Sequence, residues 1–347
     1  MKETDNKADS RMDNSKTGKT GKTGSREAEY ILALADEIIG GRRLTRDDDV
    51  SFLVNGALDA IKEGADRIRK HYCGNKVDLC TIINGRAGRC SENCKFCAQS
   101  GHHHTGADEY GFLDEDTLVN ECKHNEENGA HRFSIVTAGR TLEGKDFELA
   151  KNAYKRMHEE CKNIELCGSH GLLNKEQLEE LKECGIKRYH ANIETSRRNF
   201  PNICTTHTFD DKIACIKAAK AAGLEVCSGG IIGMGEDWDD RLDMAFTLSE
   251  LEVKSIPLNS LLPIKGTPFE NIKTLTEDEI LRTIALFRFI NPTADVRLAA
   301  GRTLLTDSGK YAFFAGANAT ITGDMLTTSG NNTAQDKEML VSNGFEI

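Results

Sequence analysis

From about residue 77 onward, short apolar and β-branched runs alternate with longer amphipathic stretches. Runs of four to eight mostly apolar residues predict buried strands, and apolar positions recurring every three or four residues predict helices with one buried face. Eight strands are predicted, over 77–84, 131–137, 164–168, 188–194, 225–232, 255–262, 295–299 and 318–322. Helices are predicted between most of them, including 174–184, 209–222, 238–250 and 276–290. Asn174, Asp210 and Thr276 stand where helices should begin, and Gly185 and Gly223 where two should end. Eight strand–helix repeats predict an α/β fold, a parallel (β/α)8 barrel of TIM type; an open, doubly wound sheet is the alternative.

Two helical patterns precede the first strand, over 27–39 and 48–72. The second carries Leu53, Ala57, Leu58, Ile61 and Ala65 at helical spacing. Ahead of them, residues 1–25 are polar and include the tract TGKTGKTG, which buries too little apolar surface to offset chain entropy and so predicts disorder. Its glycine–lysine–threonine triplets do not complete a phosphate loop, because no glycine stands five positions before Gly18 or Gly21. The expected partition is a tail over 1–25, N-terminal helices over 26–73 and a barrel over 74–347.

Composition narrows the class of function. Of 347 residues, 38% are hydrophobic, enough for one large domain. The 45 Lys and Arg against 55 Asp and Glu give a formal net charge of −10, which argues against a nucleic-acid partner. The first residues carry no apolar signal segment and no apolar run has the length of a membrane span, so a cytoplasmic protein is expected. In such a chain 12 cysteines point to metal binding or catalysis rather than to a disulfide framework. Cys122, Cys161, Cys184 and Cys215 fall in helical patterns and read as packing residues.

Three other cysteines form a motif. Cys90, Cys94 and Cys97 make a Cys-x3-Cys-x2-Cys run just after the first predicted strand, at the end of a barrel strand where catalytic groups gather. Three thiolates closing on one another can hold a cuboidal 4Fe–4S cluster and leave one iron open to a ligand. A zinc site completed by His102, His103 or His104 is the alternative, but the spacing fits zinc patterns poorly. The motif resembles that of the radical S-adenosylmethionine (SAM) superfamily, in which SAM binds the open iron and its reductive cleavage yields a 5′-deoxyadenosyl radical.

Further blocks follow in order: CSENCKFCAQS at 90–100, YHANIETS at 189–196, VCSGGIIGMGE at 226–236, SIPLNSLLPIKGTP at 255–268, VRLAAGR at 296–302 and AGANATITGDMLTT at 315–328. Together they resemble the biotin synthases over residues 77–340. The resemblance implies sulfur insertion into dethiobiotin to give biotin, with SAM and a 4Fe–4S cluster on Cys90, Cys94 and Cys97. It implies that Asn192 contacts substrate and SAM, and that Glu194, in place of an aspartate, binds the SAM ribose. Gly229, Gly230 and Gly233 would lie along the adenine, and Asn259 would hold the ureido ring of the substrate. Asn192 and Glu194, two apart on a predicted strand, share a face. His190 and Ala191 depart from the family's usual asparagine and histidine.

The family's sulfur donor is a second iron–sulfur cluster held by three cysteines and an arginine. Cys167, Cys227 and Arg297 match three of those positions; the fourth holds Ser134, a poor iron ligand beside a thiolate, so either Ser134 ligates weakly or another thiolate replaces it. Cys80, inside the first predicted strand, is expected to face the same lumen. It would complete an auxiliary cluster, 2Fe–2S or a variant, with Cys167 and Cys227 near Arg297. The implied partners are a low-potential electron donor of flavodoxin or ferredoxin type, iron–sulfur assembly proteins and a second copy in a homodimer. Another radical SAM barrel, such as a hydrogenase-cofactor maturase, has no reason to carry Cys167, Cys227, Asn259 and Arg297 together. A non-catalytic iron–sulfur or zinc protein has no need of an open iron.

Overall fold

The computed structural model of the chain describes residues 20–323 and 332–347. Its parallel strands are β1 (Asp78–Arg86), β2 (Arg132–Thr137), β3 (Glu165–Ser169), β4 (Arg188–His190), β5 (Glu225–Cys227), β6 (Gly230–Ile232), β7 (Ser255–Ser260), β8 (Asp295–Leu298) and β9 (Ala319–Ile321). The hydrogen-bonded order runs β5-β4-β3-β2-β1-β9-β8-β7-β6, and Cys227 of β5 also pairs with Ser255 of β7. That last pairing closes the ring. With β5 and β6 as two halves of one barrel strand, the structure is the expected (β/α)8 barrel.

The break between β5 and β6 was not legible in the sequence, where 225–232 reads as one strand. A Cβ on Gly229 would lie 1.9 Å from the Pro257 carbonyl oxygen, so the backbone of β7 presses in where only glycine fits. The Gly229 carbonyl accepts from the amides of Ile193 (3.0 Å) and Glu194 (3.2 Å) instead of continuing a regular ladder. β4 is likewise regular only to His190, and its extension ends at Glu194 with a left-handed φ of 67°.

Helices expected between the strands are found at Lys175–Glu183, Phe209–Ala221, Trp238–Glu250 and Glu277–Ile290. Asn174 and Thr276 cap as expected, each in a reciprocal box with Gln177 or Glu279. In the second helix the cap is Thr208, paired with Asp211; Asp210 lies one place inside the first turn, where its charge suits the helix dipole. Gly185 and Gly223 follow helix ends with φ of 103° and 75°.

The first helix spans Thr20–Ile39, starting before the expected residue 27. Residues 1–19, within the expected tail, lie outside the described residues, as does the 324–328 part of the last sequence block. The pattern over 48–72 divides into Ser51–Asn55 and Leu58–Cys73, because Gly56 leaves the helix with extended backbone at ψ 172°. These helices pack on Glu277–Ile290 through an edge-to-face pair of Phe52 and Phe289, whose ring lies so close over Gly64 that a Cβ there would meet it at 2.7 Å. Each such buried side chain contributes about 1.5–3 kcal/mol. No helix among the described residues is long and apolar enough to cross a membrane.

Candidate active site

Side chains alternate along each barrel strand, one toward the helices and the next into the lumen. Phe133 and Ile135 of β2 and Val296 and Leu298 of β8 join the apolar core outside the barrel. Their neighbours Arg132, Ser134 and Arg297 point inward. With Cys80, Cys167, Arg188, His190 and Cys227 they line a cavity of about 330 Å³. The wall of the same cavity also includes Phe96, Cys97 and Gln99 of the cysteine loop, and Asn192, Glu194 and Asn259.

Cys90, Cys94 and Cys97 lie in the loop after β1, half-buried and free of disulfides. Short turns hold the loop: the Cys97 amide donates to the Cys94 carbonyl (3.0 Å), Cys90 to Gln99 (3.0 Å) and Gly101 to Cys90 (2.8 Å). Burial pushes the Cys97 thiol up to about 11. Three free thiols in one loop, beside a cavity, are the donor set that a 4Fe–4S cluster takes. The imidazoles of His102 and His103 face backbone carbonyls of Ser91 (3.0 Å) and Cys94 (3.1 Å) rather than the thiols.

At the floor, strand register assembles the second group. Cys80 pairs with Arg132, Ser134 with Cys167, Cys167 with Arg188 and His190 with Cys227. Cys80, Cys167 and Cys227 are each more than nine-tenths buried. Burial pushes Cys80 up to about 11. Burial also pushes on Cys227, but His190 at 3.4 Å, Arg297 and Arg188 outweigh it and bring that thiol down to about 7.

Arg297 is held tightly. Its Nη2 donates to Asp78 Oδ1 (2.5 Å), its Nη1 to the carbonyls of Asp78 (3.2 Å) and Thr320 (3.0 Å), and its Nε to Ser255 Oγ (3.4 Å). Burial opposes the charge of Arg297, but Asp78 outweighs burial and raises its pKa further. Burial pushes the Asp78 carboxyl up as well, and Arg297 and Arg132 override it, holding Asp78 well below the usual carboxylate range.

Two floor arginines, Arg132 and Arg188, were not singled out from the sequence. Arg188 donates through Nε (3.0 Å) and Nη2 (2.8 Å) to Glu225, while its buried Nη1 has no partner. A buried donor left unmade costs about 1–3 kcal/mol, so this nitrogen marks a place for an anionic group. Three buried thiols beside that guanidinium fit a thiolate-held iron–sulfur cluster.

The asparagines brace irregular backbone as they line the cavity. Asn192 Oδ1 accepts from the Gly229 amide (2.9 Å) and its Nδ2 reaches Glu194 Oε2 (3.4 Å). Glu194 Oε1 lies 3.6 Å from Lys212 Nζ. Asn259 donates to the Gly230 carbonyl and accepts from the Ala300 amide, both at 3.1 Å. Gly230 is required by packing, since a Cβ would come 2.4 Å from the Glu194 carbonyl oxygen; Gly233 turns the chain at φ 93°. Ile231, between them, lines the cavity.

Sequence reading also passed over Cys204 and His207. Asn93 clamps their segment to the cysteine loop, its Oδ1 accepting from the amides of Thr205 (2.9 Å) and Thr206 (3.3 Å), and Lys95 N donates to the Ile203 carbonyl (3.0 Å). The ligand atoms of Cys94, Cys204 and His207 then lie within 4.8 Å of one another. The only hint in the sequence is the Cys-x2-His spacing of 204 and 207.

Barrel, cysteine loop and cavity define a radical SAM enzyme. Residues 84–248 match the family described as Radical SAM superfamily, and residues 257–346 match the Biotin and Thiamin Synthesis associated domain. The chain is 63% identical over 317 residues to the biotin synthase of Alkaliphilus metalliredigens (strain QYMF), covering 91% of this chain and 99% of that one. It is 64% identical over 314 residues to the biotin synthase of Clostridium beijerinckii, covering 90% and 99%. The chain belongs to the biotin synthase family. Two solved structures share the fold. Methylornithine synthase has a TM-score of 0.77 at 20% identity, over 90% of this chain and 97% of that one. The FeFe-hydrogenase maturase from Carboxydothermus hydrogenoformans has a TM-score of 0.76 at 17% identity, over 94% and 80%.

Proposed function

We propose that this chain converts dethiobiotin to biotin by inserting sulfur into an unactivated carbon chain. The observation that carries this reading is that one cavity is lined both by Cys97 of the cysteine loop and by Cys80, Cys167 and Cys227. When bound, a 4Fe–4S cluster with SAM and an auxiliary iron–sulfur cluster supply hydrogen abstraction and sulfide.

The chain's own residues bind and aim. Cys90, Cys94 and Cys97 hold the first cluster. Glu194 holds the SAM ribose, Asn192 contacts SAM and substrate, and the backbone at Gly229, Gly230 and Gly233 runs along the adenine. Asn259 keeps one amide N–H beyond its bond to Gly230, and offers it to the ureido ring. Cys80, Cys167 and Cys227 hold the auxiliary cluster, with Cys80 supplying the thiolate that Ser134 lacks. Arg297, anchored to Asp78, stands at the arginine position beside that cluster. Ile82, Val136, Ile231 and Leu261 line the cavity with hydrocarbon and exclude water from a reactive carbon centre.

A low-potential electron donor of flavodoxin or ferredoxin type, iron–sulfur assembly proteins, a cytoplasmic setting and a homodimer belong to the same reading. The test is anaerobic turnover of reconstituted protein with SAM, dethiobiotin and a low-potential reductant, followed by mass spectrometry. Biotin and 5′-deoxyadenosine are expected together. 5′-Deoxyadenosine without biotin would remove the substrate assignment, and neither product from protein with intact clusters would remove the reaction class.

A further inference from the structure

We propose a second metal site, open when the cluster is absent: Cys94, Cys204 and His207 hold a single soft divalent ion of the zinc or ferrous type, with Glu92 beside them as a fourth ligand. It does not depend on the reaction assigned above. The ligand atoms of Cys94, Cys204 and His207 lie within 4.8 Å of one another, and Cys204 Sγ is already 3.3 Å from His207 Nδ1. A tetrahedral ion with sulfur at about 2.3 Å and nitrogen at about 2.0 Å needs its ligands roughly 3.5 Å apart, a small side-chain adjustment from here. Glu92 Oε2 lies 2.5 Å from the same Nδ1. Cys204, His207 and Glu92 are all more than nine-tenths buried.

Two further observations point to a ligand. Glu92 accepts from His207 Nδ1, which places the ring proton there and leaves Nε2 buried without a partner. A metal taking Nδ1 displaces that proton to Nε2, and the same step releases the carboxylate for the ion. The frame is built rather than accidental, because Asn93, Lys95 and Thr206 tie the two segments together around it. Two thiolates and a neutral imidazole balance a dication, and Arg140 at 3.5 Å offsets the Glu92 charge. Because Cys94 also belongs to the cysteine triad, an ion here orders the empty loop and has to leave, or be absorbed, as a cluster forms.

The test is titration of the cluster-free, full-length protein with cobalt(II), read by the thiolate-to-cobalt charge-transfer band. One tightly bound equivalent is expected. Cys204→Ala and His207→Ala should each weaken it by more than about tenfold, whereas Cys90→Ala/Cys97→Ala should retain it. Circular dichroism checks that each variant is folded; where Cys204→Ala is not, His207→Gln decides. Cobalt binding unchanged in the folded Cys204 or His207 variants, or lost in the Cys90/Cys97 variant, overturns the proposal.

Discussion

Cys167 and Arg188 are register partners across β3 and β4, and the Nη1 of that arginine is buried with no acceptor in the protein. Thiol and guanidinium therefore meet in the barrel floor with a donor left over for an anionic group. Arg188→Gln should lower the midpoint potential of the auxiliary cluster by roughly 40–90 mV, the equivalent of about 1–2 kcal/mol of lost charge stabilisation per electron. Arg188→Lys should recover part of the shift. A potentiometric titration followed by electron paramagnetic resonance reads this directly, and an unmoved potential would mean that the guanidinium does not face the cluster.

Cys80 and Ser134 make opposite predictions. Cys80→Ala should remove the auxiliary site's iron and sulfide while leaving the 4Fe–4S complement intact, since a buried thiolate is lost. Ser134→Ala should leave both unchanged. Iron and acid-labile sulfide analysis after anaerobic reconstitution separates the two, and an auxiliary cluster surviving in Cys80→Ala sinks that assignment.

Glu194 carries its charge at the cavity wall, 3.6 Å from Lys212. Glu194→Gln keeps the shape and removes the charge. Hydrogen bonds to a charged group are worth about 1.5–3 kcal/mol, so the SAM dissociation constant should rise at least about tenfold. Equilibrium binding to the cluster-loaded protein is the measurement.

His170 gives a pH dependence that lies outside the cluster ligands. Its buried ring sits 3.1 Å from Thr137 Oγ1 and 2.8 Å from Tyr154 Oη, and burial pulls its pKa down to about 3. The unfolded chain takes up this proton near pH 6.5 and the folded chain only near pH 3, so stability falls as pH drops through that interval. Between pH 7 and pH 5 the cluster-free protein should lose about 2 kcal/mol from this group. Urea unfolding at the two pH values should show the loss, and His170→Gln should flatten it.

Gly229→Ala should destabilise by about 3 kcal/mol or more, because its Cβ would fall 1.9 Å from a backbone oxygen that cannot turn aside. Gly235→Ala, with φ of 94° but open space around it, should cost only about 1 kcal/mol. Comparing the two midpoints in thermal unfolding distinguishes backbone crowding from conformational strain.

The sequence by itself determined the barrel, its helices and the cysteine loop, because these are written in local periods and spacings. Strand runs, the caps at Asn174 and Thr276 and the Cys-x3-Cys-x2-Cys run each depend on residues a few places apart. The alternation along β1 was also enough to direct Cys80 into the lumen. What the tertiary structure alone decided lies between elements distant in sequence. The break at Gly229 comes from Pro257 of the neighbouring strand, the spare nitrogen of Arg188 from the register of β3 with β4, and the approach of Cys204 and His207 to Cys94 from the Asn93 clamp. Local propensity carries no information about which strand will press against which, so these contacts exist only once the barrel has closed.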